Sequence, residues 1–263
     1  MEAPLFMPVT PSPASTLALL RPRAALEVLL IQRHPGSRFA GGDFVFPGGK
    51  VEPGDTPDDA LAWCRGLTLV EAARRLGLGD ARAALGYWIG AIREAFEEVG
   101  VLLAYDAQGR LVEPRGPRFG DYRRACQADH RAFWDMLRTE QLRLATDHLV
   151  YFAHWITPEE NPVRFDARFF VAELPPGQEA VADEQEVVGV RWFTPDAALA
   201  ARRRGEISLR LPTVKNLELL ASAPTIPELL RHLGTRDVPP IRPRVITEGD
   251  RQRVLMPDDP GYF

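Results

Sequence analysis

Four residues between positions 93 and 98 have the types and the spacing to do chemistry together. Arg93, Glu94, Glu97 and Glu98 fall within Ala91–Val101, AIREAFEEVGV. A helix repeats every 3.6 residues, so positions i, i+3 and i+4 share a face. Glu94, Glu97 and Glu98 then converge on one stripe, where three carboxylates repel one another unless a cation sits among them. Hard divalent ions such as Mg2+ or Mn2+ take oxygen ligands of this kind. The other face carries Ala91, Ile92, Ala95, Phe96 and Val99, which suits core packing. Gly100 stands where helices commonly end. An acidic helix stripe is, in most proteins, only a solvated face, and that bland alternative stands until a second stretch is set beside it.

The second stretch lies upstream. Arg33–Lys50, RHPGSRFAGGDFVFPGGK, is glycine-rich and carries Arg33, Arg38 and Lys50 as its cations. Gly48 and Gly49 follow a short candidate strand, Phe44–Phe46, and glycines there permit close backbone approach to a ligand. Hairpins use such turns constantly, so the pair alone decides nothing. VEPGD, Val51–Asp55, follows directly.

These residues need a scaffold. Ser15–Leu20 and Ala25–Gln32 read as strands, the second leucine-rich as in a sheet covered on both faces. Thr56–Asp59 reads as a helix start, with short helices over Leu61–Leu67 and Thr68–Leu76. Asp80 can cap a long helix over Ala81–Val99. A strand over Val101–Tyr105 and a helix over Asp121–Leu144 are expected next, the latter with Ala125, Phe133, Trp134, Leu137 and Leu142 facing a core. Leu149–Ile156, Val163–Leu174 and Val187–Phe193 read as strands. Helices over Pro195–Arg204, Pro212–Ala221 and Ile226–Leu233 follow, then a closing hairpin of Val245–Ile246 and Arg253–Met256. Strands precede, separate and follow the helices without regular βαβ alternation. The fold class is therefore α+β, a mixed sheet between helical layers rather than a Rossmann fold or a barrel.

Composition narrows the function classes. The 263 residues are 45% hydrophobic and 26% charged, ordinary for a globular chain. A net charge of −4 argues against nucleic acid as the main partner. Cys64 and Cys126 have no metal-type spacing and fit a reducing compartment. No basic start with an apolar run opens the chain, and no run of about 18 apolar residues suggests a membrane span. A cytoplasmic protein without a membrane partner is expected.

Set together, the two stretches resemble the Nudix box: Gly, five residues, Glu, seven residues, then Arg-Glu, an apolar residue, any residue, Glu-Glu, any residue, Gly and an apolar residue. REAFEEVGV, Arg93–Val101, matches throughout if Ala95 counts as apolar. Gly49 and an acid five residues later match the first half, but that acid is Asp55 rather than Glu. Between Asp55 and Arg93 lie 37 residues instead of seven. Such an insertion is tolerable when its ends meet in space, because loop length costs free energy only logarithmically. An interrupted box followed by AIREAFEE resembles the Nudix subgroup of acyl-CoA and coenzyme A diphosphatases. RFDARFF, Arg164–Phe170, and the spacing of Leu29–Arg33, Arg38, Gly42 and Phe46–Gly49 resemble that subgroup too.

The resemblance implies a Nudix-type α/β/α sandwich with helical insertions. A loose arm over 1–14 precedes a Nudix domain over 15–222, with insertions near 57–86 and 115–147. Residues 223–263 supply a helix and a hairpin packed on the domain. It implies Mg2+- or Mn2+-dependent hydrolysis of a nucleoside diphosphate linked to another group, with a small-molecule nucleotide such as CoA or an acyl-CoA as substrate. ADP-ribose, NADH or another nucleotide diphosphate is the enzymatic alternative, and a nucleotide-binding regulator the non-enzymatic one. The implied metal ligands are Glu94, Glu98, Glu97 and the Gly49 carbonyl, with Glu97 also available as proton acceptor. Arg93 would orient a carboxylate. Arg33 and Arg38, with Gly42, Gly48 and Lys50, would hold substrate. Glu186, with Glu184 beside it, is the candidate base from a later loop, unless both are ordinary loop acids. Arg164, Asp166 and Arg168 share a strand face and form either a pairing ladder or a cleft wall. A homodimer is compatible with all of this.

Overall fold

Alternation along two strands decides the architecture. A computed structural model describes residues 9–37, 40–248 and 251–262. In β1 (Ser12–Pro22), Leu17 and Leu19 enter one core while Ala18 and Leu20 enter another. In β2 (Leu26–Arg33), Leu29 and Ile31 go to the first, Val28 and Leu30 to the second. Period-2 side chains that are apolar on both faces require cover on both faces.

That cover comes from the rest of the chain in order. β3 (Phe44–Val45) and β4 (Gly48–Lys50) are short. α1 (Leu69–Leu76) and α2 (Ala81–Val99) follow. β5 (Ala104–Tyr105), α3 (Pro117–Ala128), α4 (Ala132–Thr139) and β6 (Arg143–Leu144) form the next segment. β7 (Val150–Ile156), β8 (Phe165–Glu173) and β9 (Val187–Phe193) return to the sheet. α5 (Pro195–Arg203), α6 (Leu211–Leu220) and α7 (Ile226–Gly234) precede β10 (Pro240–Ile241) and the hairpin β11 (Arg244–Glu248) and β12 (Arg251–Leu255).

The main sheet runs β10-β7-β8-β1-β2-β3, with β4 also on β1 and β9 also on β2. β1–β8 and β7–β10 are parallel, and the other pairs in this sheet are antiparallel. α1 to α4 cover one face around Trp88, Phe96 and Phe133. α5 to α7 cover the other around Trp155, Leu217 and Leu229. This is the expected α+β sandwich with a mixed sheet.

Several local expectations change. The helix expected over 121–144 is two helices and a strand. Asp129 leaves helical geometry at φ −150° and ψ 107°, and its carboxylate accepts from the Arg131 backbone N–H at 3.0 Å, the side-chain competition that ends helices. Ala125 is exposed, not core. Leu61–Leu67 holds only a 3-10 turn over Ala60–Trp63. Only Ala104–Tyr105 of the strand expected over 101–105 pairs. Residues 81–86, the last part of the segment expected as the first insertion, form the opening turns of α2. Of the arm expected over 1–14, residues 1–8 lie outside the described residues, and Ser12–Ala14 are already strand. Among the described residues, no helix is long and apolar enough to cross a membrane.

Candidate active site

The site is built where the C-terminal half of α2 passes over β4. Asp80 starts the helix by accepting from the N–H groups of Arg82 and Ala83 at 2.9 and 3.1 Å. Gly100, left-handed at φ +70°, ends it. One face of α2 is core, and the opposite face brings Arg93, Glu94, Glu97 and Glu98 against the glycine turn.

Both glycines of that turn are required by space. A Cβ on Gly49 would lie 2.5 Å from Glu94 Oε1, and one on Gly48 would lie 2.4 Å from the Ser15 carbonyl oxygen. The bare backbone lets Gly48 N–H donate to Glu98 Oε2 at 2.8 Å.

Arg93 is the hub. It is 2% exposed, and its five N–H groups have five acceptors. Nε donates to Asp55 Oδ1 at 2.7 Å and Nη2 to Asp55 Oδ2 at 3.1 Å. Nη2 also donates to the Lys50 carbonyl at 2.9 Å. Nη1 donates to Glu94 Oε1 at 2.9 Å and Glu97 Oε2 at 3.0 Å. Asp55, shorter than the usual glutamate, reaches Arg93 because it ends a 3-10 turn over Pro53–Asp55. Its Oδ2 also accepts from Glu52 N–H at 2.8 Å. Two residues 38 apart in the chain are thereby paired, and the interrupted motif closes in space.

Electrostatics follow from this crowding. Burial resists charge on Arg93, but Glu94, Asp55 and Glu97 outweigh it and hold its pKa above the ordinary value. Burial raises Glu94 against the pull of Arg93, and in the same way raises Glu97 to about 8. Glu98 is pushed well above the usual carboxylate range by burial and then by Glu94. Among the described residues, Asp55, Glu94, Glu97 and Glu98 are paired through Arg93 and Arg33, with Arg123 near Glu98, so four carboxylates outnumber the cations around them.

A divalent cation fits that deficit and an all-oxygen donor set. Glu97 Oε1 is buried with no hydrogen-bond partner, which leaves one oxygen of that carboxylate uncommitted. As the side chains stand, no three His, Cys, Asp or Glu groups converge closely enough to hold an ion among the described residues. Arg93 Nη1 draws one oxygen from each of Glu94 and Glu97 to itself.

The other expected residues are placed as follows. Arg33 Nη1 lies 3.5 Å from Glu98 Oε1, and its buried Nε has no partner among the described residues. Arg38 lies outside the described residues. Gly42 N–H donates to the Arg33 carbonyl at 3.2 Å, holding the loop back on its strand. Lys50 contributes its carbonyl to Arg93, while the residue is exposed. Glu186 is exposed, close enough to raise both Glu94 and Glu98, and its carbonyl accepts from His34 N–H at 2.8 Å. Glu184 is exposed and left-handed at φ +66°.

Arg164, Asp166 and Arg168 separate into structural roles. Asp166 Oδ1 meets His154 Nε2 at 2.5 Å and Arg168 Nη1 at 3.0 Å, and Arg168 stacks 4.4 Å from the Tyr87 ring centroid. Arg164 Nε donates to the Thr157 carbonyl at 3.1 Å. Trp155 is core, with Nε1 donating to Asn216 Oδ1 at 3.1 Å. Burial pushes the Cys64 and Cys126 thiols up to about 12.

Sequence reasoning missed Asp183, whose Oδ1 accepts from Gln185, Glu186 and Val187 N–H at 3.1, 3.1 and 2.8 Å. An aspartate just before a chain reversal is the one local signal for such a turn. It also missed Arg123, Gln127 and Trp134 of the α3–α4 segment, which reach both halves of the motif.

Comparison with known proteins agrees with this geometry. A family model described as the NUDT19 Nudix domain matches residues 82–220, and one described as the NUDIX domain matches residues 11–62. The two matches leave out residues 63–81, inside the insertion. Acyl-coenzyme A diphosphatase NUDT19 of Xenopus laevis is 27% identical over 246 residues, covering 81% of this chain and 64% of the relative. The chain thus spans less than two thirds of that relative's length. The Gallus gallus protein of the same name is 28% identical over 90% of this chain and 72% of its own, and the Homo sapiens one 27% over 92% and 74%. Among solved structures, a NUDIX hydrolase from Alicyclobacillus acidocaldarius superposes with a TM-score of 0.71 at 26% identity, covering 87% of this chain and 99% of that one.

Proposed function

This chain belongs to the Nudix hydrolase family, in its NUDT19 branch, and we propose that it hydrolyses the pyrophosphate bond of CoA or an acyl-CoA. The products are 3′,5′-ADP and (acyl-)4′-phosphopantetheine. The observation that carries the reading is the closure of the split motif, Asp55 on Arg93 at 2.7 Å, with three glutamates on the same helix face. The names of the curated relatives support the choice of a CoA ester.

Glu94, Glu98 and Glu97, with the Gly49 carbonyl, would hold a Mg2+ or Mn2+ ion. Such an ion supplies charge neutralisation at the phosphoryl oxygens and a more acidic water. Arg93 orients the carboxylates by fixing one oxygen of Glu94 and of Glu97 while Asp55 fixes Arg93 from behind. Arg33, with its unpaired Nε at the edge of the cluster, binds a substrate phosphate by charge-assisted hydrogen bonds. Glu186, whose charge raises Glu94 and Glu98, would accept a proton from the attacking water. Glu97, raised to about 8, is the other candidate for that proton, since a base works best near the operating pH.

The test is a panel of CoA, acyl-CoAs, ADP-ribose and NADH with Mg2+ or Mn2+, with products resolved by chromatography. 3′,5′-ADP from the CoA substrates is expected. Fast cleavage of ADP-ribose with none of CoA esters overturns the substrate. No turnover of any member overturns the enzyme reading and favours a nucleotide-binding regulator.

A further inference from the structure

A helix end leaves carbonyls without partners inside the helix. At the end of α2, Gly100 N–H takes the Phe96 carbonyl and Val101 N–H the Ala95 carbonyl. The Val99 carbonyl is met by Val181 N–H at 2.9 Å. The Glu97 carbonyl is met by two side chains of α3, Arg123 Nε at 2.9 Å and Gln127 Nε2 at 2.7 Å.

Arg123 and Gln127 are four residues apart and share a helix face. Each also reaches the loop before β9. Arg123 Nη2 donates to the Val181 carbonyl at 2.9 Å, and Gln127 Nε2 approaches Asp183 Oδ2 at 3.3 Å. Asp183 in turn gathers the backbone N–H groups of Gln185, Glu186 and Val187. The other half of the α3–α4 hairpin holds the other half of the motif. Trp134 Nε1 donates to the Gly54 carbonyl at 2.8 Å, beside Asp55. His130 packs so closely there that a Cβ on Gly54 would lie 2.9 Å from its Nε2. A simple helix cap needs one donor at Glu97. Here two donors arrive, and both continue to the loop that carries Glu186.

We propose that the α3–α4 hairpin braces the split active site and that Gln127 is a positioning residue, locking the Glu186 loop against the catalytic helix. The proposal rests on the pyrophosphohydrolase reading above. The hairpin does for this chain what a seven-residue linker does in an uninterrupted motif: it keeps both halves and the base-bearing loop in one register. A neutral amide suits the position, since the Glu97 carbonyl and the Asp183 carboxylate are both acceptors.

The experiment compares the full chain with Gln127→Met, which keeps the length but loses the donors, and with Gln127→Glu alone and combined with Asp183→Asn. The single Glu variant sets two carboxylates against each other, and the combined one restores a donor between them. Steady-state kinetics with the panel substrate turned over fastest are read beside hydrogen exchange of peptides spanning 181–187. Gln127→Met is expected to lower kcat about tenfold to 100-fold with KM within about twofold, the scale of a displaced catalytic group. Exchange in 183–187 rises, and the melting temperature falls only about 2–8 °C, the scale of one to two hydrogen bonds lost. The combined variant regains loop protection and part of kcat relative to Gln127→Glu. Unchanged kcat, or unchanged exchange over 183–187, overturns the proposal and leaves Gln127 a plain helix cap. If the wild type turns over no panel member, the enzyme reading fails separately, and unchanged exchange in Gln127→Met still overturns the brace.

Discussion

Asp55→Asn isolates the charge that closes the split motif. The side chains are nearly isosteric, so packing is kept. The carboxylate accepts three hydrogen bonds: two from Arg93, at 2.7 and 3.1 Å, and one from Glu52 N–H at 2.8 Å. An amide offers one acceptor oxygen and turns an N–H toward another donor, so one of these sites becomes a donor facing a donor. Both partners are almost fully buried, Asp55 at 1% and Arg93 at 2%. Breaking a buried pair of this kind costs about 3–5 kcal/mol. Some of that returns, because Asp55 is among the charges that raise Glu94 and Glu97, and its neutralisation relieves them. The lower end, about 3 kcal/mol, is therefore expected, and at roughly 2–4 °C per kcal/mol for a domain of this size it lowers the melting temperature by about 6–12 °C. The assay is thermal unfolding by far-UV circular dichroism in excess chelator, so that bound ions do not mask the change. A melting temperature within about 2 °C of wild type refutes the claim that this pair holds the two halves together.

Gly49→Ala drives a Cβ into the Glu94 carboxylate and is expected to cut kcat/KM about 100-fold, the scale of a displaced catalytic group, while destabilising by only about 1–3 kcal/mol. Wild-type kcat/KM in that variant removes Glu94 from the mechanism. Asp166→Ala strips the buried Arg168 of its carboxylate and is expected to cost about 3 kcal/mol in urea unfolding with turnover per folded molecule unchanged. A fall in kcat with intact stability instead makes that strand face a cleft wall. The thiol pKa values near 12 lie above the usual 9.0 because burial disfavours the thiolate. At pH 7 both cysteines are almost entirely thiols, folded or unfolded, so they add little pH dependence to stability there; above about pH 8 the unfolded thiols ionise first and stability falls as pH rises. Native protein is expected to react with Ellman's reagent far more slowly than protein in urea, and fast native labelling contradicts their burial.

Local features were legible in the sequence. Asp80, the apolar face of Ala91–Val99 and Gly100 delimit α2 correctly because caps and helical periodicity act within a few residues. Val187–Phe193 is a strand over the residues its β-branched run suggested. REAFEEVGV identified the family because all but its last two residues lie within one helix, where spacing in the chain is spacing on a face. The break at Asp129 was hidden because apolar periodicity runs on past it and a side-chain hydrogen bond, not composition, ends the helix.

Tertiary structure alone decided the rest. Nothing near Asp55 tells whether a shorter acid still reaches Arg93; a 3-10 turn brings it to 2.7 Å. Nothing near Gln127 marks it, because the carbonyl it serves lies 30 residues earlier and the loop it holds 56 residues later. Arg164, Asp166 and Arg168 share a face in any strand, yet only the packing of Tyr87 and His154 ties Asp166 to the buried Arg168, while Arg164 turns to the Thr157 carbonyl. The sequence by itself determined which helix carries the carboxylates, since that is a matter of 3.6-residue spacing. Where Asp55, Glu186 and the inserted helices stand around it was decided by orphaned backbone groups and buried charges finding partners far along the chain.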